Sequence, residues 1–180
     1  ITVISANSSR RSILFYPSLE VPLIRASSFG NIYSEDRDRF LVGGNSSTSV
    51  YNYDASTENF TAITTTNTVV SSQHSDISHR GERTVIAYNV YDSDYSYIGS
   101  LDITGIDANA ISPDGSRVYS VYRNMLRTID TSGPAGPFPV ISTVAFTQST
   151  EVNPFGMFVS QDGRTLFIYD GSTLYIYPIP

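Results

Sequence analysis

The chain has 180 residues, 40% of them hydrophobic and 16% charged, enough for one sizeable core and too apolar for a disordered chain. Its net charge is −6, and all eleven basic residues are Arg with no basic stripe, which argues against a phosphate-backbone partner. Cys is absent, so disulfides, thiolate metal sites and Cys nucleophiles are excluded together, while the redox compartment stays open.

Tyr, Thr, Ser, Val and Ile are plentiful, and no window carries a sustained helical apolar period, so the chain reads as all-β. No stretch approaches the roughly 18 unbroken apolar residues of a membrane helix. The first residue is Ile1, with no charged segment leading into an apolar one, so a processed or excised piece of a longer protein is expected. Sequons at Asn7, Asn45 and Asn59 are near chance in so Ser- and Thr-rich a chain and carry little weight.

One unit recurs along the chain: an apolar strand end, a Ser, a polar tight turn and a second apolar strand. Its Ser residues are Ser5, Ser34, Ser78, Ser112 and Ser160. The turns are expected at residues 7–9, 35–38, 79–82, 113–116 and 161–164, each joining an innermost strand to a second strand. Period-2 burial then places Ile13, Phe40, Val85, Val118 and Leu166 between neighbouring sheets. In the second unit, strands are expected at 40–42, 49–53 and 60–64. In the third, runs at 84–91 and 95–103 flank Asp92-Ser93-Asp94. The fourth is the clearest: 108–112, the turn Pro113-Asp114-Gly115, 117–122, 124–130 and an outer strand at 140–146. Asp-Gly between apolar runs is a strong hairpin signal, because Gly accepts positive φ and Asp bonds its own backbone. The fifth repeats the pattern with strands at 165–169 and 173–176 and ends without an outer strand.

A repeated hairpin unit predicts a propeller or solenoid, because one such sheet cannot bury both faces alone. The expectation is a single β-propeller domain over 1–180, with five hairpin-type blade units. The Ser spacings of 29, 44, 34 and 48 average below the roughly 40–50 residues of a closed blade, which predicts part of a larger or incompletely closed propeller. Open strands at either end invite pairing, either with another chain or through closure by residues 1–5.

Pro154-Phe155-Gly156-Met157-Phe158-Val159-Ser160-Gln161-Asp162-Gly163, and Ile111-Ser112-Pro113-Asp114-Gly115 with Ile129-Asp130-Thr131, resemble the YVTN-type β-propeller repeat. The resemblance is good over 106–177 and loose over 1–105. Ile106 stands where Pro154 does, Ala108, His74 and Gly30 stand where Gly156 does, and Arg80 replaces the turn Asp in the third unit. It implies a fold and says little of activity, since one superfold hosts many functions.

His74, Asp76 and His79 are the one His cluster. A strand of period 2 puts His74 and Asp76 on one face and leaves His79 in the turn beyond, so backbone hydrogen bonding is expected rather than zinc or iron. No metal or other cofactor is expected. Asp92-Ser93-Asp94 imitates half a calcium loop without its Gly or final acid and reads as a hairpin turn. The many Tyr residues read as packing between sheets rather than as a sugar or peptide platform.

Three readings compete. The first is a non-enzymatic propeller that binds a protein or small molecule as part of a larger extracytoplasmic protein (secreted, periplasmic or at the cell surface). His74, Asp76, Asp107 and Asn109 would then be contacts at the channel rim. The second is a lactonase-like or other hydrolytic enzyme using these residues and Glu151. The third, a redox propeller, has few ligands to draw on. Catalysis needs a nucleophile or base beside a tuning partner, and the sequence offers no such pair, so no catalytic residue is assigned.

Overall fold

The computed structural model describes residues 3–7, 10–14, 24–26, 31–33, 39–43, 48–54, 56–57, 59–66, 74–145, 154, 156–169 and 173–179. Their regular structure is entirely strand, arranged as five antiparallel sheets in chain order. The first contains β1 (Val3–Asn7), β2 (Arg10–Leu14) and β3 (Ile24–Ala26). The second contains β4 (Asn31–Tyr33), β5 (Arg39–Gly43), β6 (Thr48–Asp54) and β7 (Asn59–Thr66). The third contains β8 (Ser75–Ile77), β9 (Arg83–Ile86), β10 (Asn89–Asp92) and β11 (Tyr97–Ser100). The fourth contains β12 (Ala108–Ile111), β13 (Arg117–Tyr122), β14 (Met125–Asp130) and β15 (Val140–Ala145). The fifth contains β16 (Gly156–Val159), β17 (Thr165–Tyr169) and β18 (Leu174–Pro178). Every sheet is a meander, each strand pairing with the next in sequence, and the first strands β4, β8, β12 and β16 are neighbours from sheet to sheet.

The repeated Ser explains why three of these sheets begin alike. The Ser78, Ser112 and Ser160 carbonyls each accept the N–H of a Gly three residues on, at 3.0, 2.9 and 2.8 Å. Those residues, Gly81, Gly115 and Gly163, have φ of 76°, 70° and 72°, a conformation that Gly adopts without a Cβ penalty. The Ser hydroxyls then accept the N–H five residues on, from Arg83, Arg117 and Thr165. Each hydroxyl also donates to a carboxylate: Asp114 and Asp162 two residues later, but Glu82 in the third sheet, where Arg80 replaces the Asp. A longer acid two positions further on thus substitutes for the missing one. The turns expected at 7–9 and 35–38 include residues outside those described.

Between sheets, period-2 alternation sends one side chain each way. Val118 and Ile129 face the third sheet and cluster with Val85, Val90, Leu101 and Phe138, while Tyr119 and Val121 face the fifth and cluster with Leu166 and Ile168. Val50, Ile77, Ile86, Tyr91 and Tyr95 form a third cluster between the second and third sheets. Val85, Val118 and Leu166 are thus fully buried between sheets; the side chains of Ile13 and Phe40 lie outside the described residues. Tyr91, Tyr95 and Tyr119 are buried, whereas Tyr88 and Tyr97 remain exposed.

One expected strand is two. The run 84–91 folds back at Ala87-Tyr88, with Ile86 paired to Asn89 and Ala87 at φ 52°. Neither residue is a turn former, so local chemistry gave no sign of it. The Asp92–Ser96 hairpin is the expected turn: Asp92 Oδ1 accepts the N–H of Asp94 (3.0 Å) and of Ser96 (2.9 Å).

Candidate functional site

His74 precedes β8, Asp107 precedes β12, and Asn109 lies within β12, so the side-by-side first strands bring the three to one corner of the seam between the third and fourth sheets. The Asn109 amide donates to the His74 carbonyl (3.1 Å) and to the Ala87 carbonyl (2.9 Å). The His74 ring bonds the Asp107 backbone; burial nevertheless holds its pKa below the usual imidazole value. Asp107 Oδ2 accepts the N–H of Arg123, which sits at φ 54° in the β13–β14 turn. Non-Gly residues at positive φ cost about 1–2 kcal/mol. Asn109 and Asp107 each hold one such turn in place, Ala87 in the preceding sheet and Arg123 in their own. Asn109 is 2% exposed with its amide donors engaged, which closes it off as a rim contact.

Asp76 lies along the same seam, nearer the turns. Its Oδ1 accepts the N–H of Ile77 (2.9 Å), and its Oδ2 accepts the N–H of Ile111 in the next sheet (2.9 Å). The carboxyl group therefore stitches β8 to β12 where two edges of different sheets meet. Its partial burial raises its pKa to about 7, because desolvation penalises the anion more than these two N–H groups favour it.

Asp76 also borders a cavity of about 380 Å³ with His79, Ile111, Pro113 and Phe158, at the meeting of β8, β12 and β16. The sequence reading missed Pro113 and Phe158, yet the repeat carries a signal for them. Phe158 precedes Ser160 by two positions as Asp76 precedes Ser78, and Pro113 follows Ser112 as His79 follows Ser78. The His79 N–H donates to the Pro113 carbonyl (2.9 Å), joining two of the turns into one surface.

Around the turns the carboxylates are anions fixed by hydroxyls. Hydrogen bonds from Ser56, Ser132 and Ser160 hold Asp54, Asp130 and Asp162 below the ordinary carboxylate range. For Asp114, burial pushes upward but is outweighed by bonds from Ser112 and Ser116, and the net shift is downward. Among the described residues no group of three or more His, Asp or Glu is placed to hold a metal, and His74, Asp76 and His79 do not converge on one point. Glu151 lies outside the described residues. No helix among them is long and apolar enough to cross a membrane.

No family model and no curated protein matches the chain. Solved structures do. A crystal structure of a functionally unknown protein from Desulfotomaculum acetoxidans is similar with a TM-score of 0.60 at 17% identity, over 99% of this chain and 65% of that one. A protein from Lactobacillus plantarum is similar with a TM-score of 0.66 at 13% identity, over 99% of this chain and 64% of that one. The chain therefore spans somewhat under two thirds of the length of both, and at these identities the likeness is one of fold.

Proposed function

We propose that this chain is a run of β-propeller repeats that serves as a non-enzymatic binding platform on an extracytoplasmic protein. The observation that carries this reading is the shared end formed by the turns after β8, β12 and β16. There, Glu82, Asp114 and Asp162 are anchored by Ser hydroxyls, and His79, Arg80 and Gln161 border the shallow grooves between them. Neighbouring first strands and the resemblance to the YVTN-type repeat support the propeller arrangement. A rigid rim of anions and donors suits recognition of a polar or cationic protein segment, because it is organised before the partner arrives.

Asp76 and His79 on one cavity favour a second reading, a hydrolase acting at that mouth. Assays with p-nitrophenyl acetate and a simple lactone, run beside an array of acidic, basic and apolar peptides, separate the two. The platform reading expects no hydrolysis above buffer, and peptide binding whose NMR shift changes cluster at His79, Arg80 and Gln161. Turnover that disappears in Asp76→Asn and His79→Ala would establish the hydrolase instead.

A further inference from the structure

Asp76 is largely buried, and among the described residues no Arg or His is its partner. Its two oxygens accept one N–H each, from Ile77 and from Ile111, both at 2.9 Å. A carboxylate offers about four acceptor directions, so one on each oxygen is still open. Taking an anion out of water without a countercharge is costly, which is why this carboxyl holds its proton up to about pH 7. A cation brought against it would remove much of that cost.

The cavity beside Asp76 has room for one. It measures about 380 Å³, within the roughly 300–1,000 Å³ of small-ligand sites, and lies where β8, β12 and β16 are neighbours. Pro113, Phe158 and Val159 line it and stay partly exposed, so apolar surface is available next to the carboxyl. Among the described residues His79 is its one other ionisable lining residue, and no three His, Asp or Glu are placed to complete a metal shell. A single acid with apolar walls fits an organic cation on an aliphatic stem. A guanidinium binds best through two parallel bonds to both oxygens, but each oxygen here already holds an N–H from a different strand. An ammonium is a point charge that one open acceptor direction can hold.

We propose that this cavity receives a lysine side chain from a partner protein bound across the turn end, with the ammonium on the Asp76 carboxylate and the methylene stem along Pro113 and Val159. This deepens the platform reading and rests on it. His79 and Pro113 border both this cavity and the groove that holds Arg80, Glu82 and Asp114, and the His79 N–H to Pro113 carbonyl bond fixes the two openings side by side. The Ser-anchored carboxylates of Glu82 and Asp114 would therefore meet a cationic segment at the point where its lysine enters. All eleven basic residues of the chain itself are Arg, so none of them can fill the role.

The probe is the blocked peptide acetyl-Gly-Gly-Lys-Gly-Gly-amide, titrated into the isotope-labelled protein by NMR at about pH 8, above the Asp76 value. Saturable shift changes are expected at the amides of Ile77 and Ile111, whose N–H groups bond the carboxyl, with a Kd of about 1 mM or tighter. Affinity should fall about tenfold or more when norleucine replaces the lysine, which keeps the stem and removes the charge, and in Asp76→Asn. Circular dichroism checks the fold of the variant; if it unfolds, the norleucine comparison on the unaltered protein decides. Losses within about twofold in either arm overturn the role of the carboxylate, and an absence of shifts at Ile77 and Ile111 overturns the site. n-Butylamine is titrated in parallel: affinity equal to the peptide's would make a free amine the ligand and overturn the assignment to a protein. Peptide shifts confined to His79, Arg80 and Gln161 would sink the lysine site and leave the platform reading standing, whereas Ile77 and Ile111 shifts with butylamine alone would count against both the platform and a protein lysine.

Discussion

Replacing Asp76 by Asn removes a titratable group while keeping its size, and it should reshape the pH dependence of stability. In the folded protein the carboxyl is largely buried, which pushes its pKa up to about 7 from a reference of 3.8. Between those values the unfolded chain has released its proton and the folded one has not. The unfolded state then binds fewer protons, so stability falls as pH rises through this window. About three pH units at about 1.4 kcal/mol each gives a loss on the order of 4 kcal/mol between about pH 4 and pH 7, fully present below pH 4 and gone above pH 7. Asn keeps one carbonyl acceptor for the two N–H groups of Ile77 and Ile111, so the variant loses about 1–2 kcal/mol at all pH values. His74 titrates the opposite way, since its lowered pKa costs stability as pH falls, but it is present in both proteins and cancels in the difference. Urea unfolding of both proteins across about pH 4 to pH 8 measures that difference directly. The wild-type advantage should shrink with rising pH, vanish near about pH 5 and become a deficit of about 2–3 kcal/mol by about pH 7. Parallel profiles would show that the Asp76 carboxyl is ionised throughout, and the burial argument would fail.

Asn109→Asp should destabilise by about 2–4 kcal/mol in denaturant unfolding, because the carboxylate oxygen that replaces Nδ2 would face both the His74 and the Ala87 carbonyl in a buried seam; Asn109→Ala should cost less. Ser112→Ala removes the acceptor for Arg117 N–H and a donor to Asp114, and should lower stability by about 1–2 kcal/mol, with a matching fall in Tm. Gly99→Ala should cost about 2–3 kcal/mol, since a Cβ there would sit 2.6 Å from the Gly136 backbone where the loop to β15 docks on β11; an unchanged Tm would mean that the loop can move away freely.

The sequence placed the strands of the fourth sheet within about one residue, because the signals are local: alternating burial, and a Ser, Asp and Gly that satisfy one turn among themselves. It named His74, Asp76, Asp107 and Asn109 as a contact rim, from their places before or within first strands; the structure lays them along the seam between the third and fourth sheets. It assigned Asn109 to a ligand because a polar residue at a first-strand start looks the same whether it faces solvent or a neighbour. The hairpin at Ala87-Tyr88 was invisible for a related reason. Ala87 has no preference for positive φ, and its turn is held by Asn109, 22 residues away. Composition, period and turn chemistry therefore determined an all-β chain of repeated hairpins. Tertiary structure decided what the polar residues do, because Asp76 meets Ile111, 35 positions along the chain, only once two sheets have folded side by side.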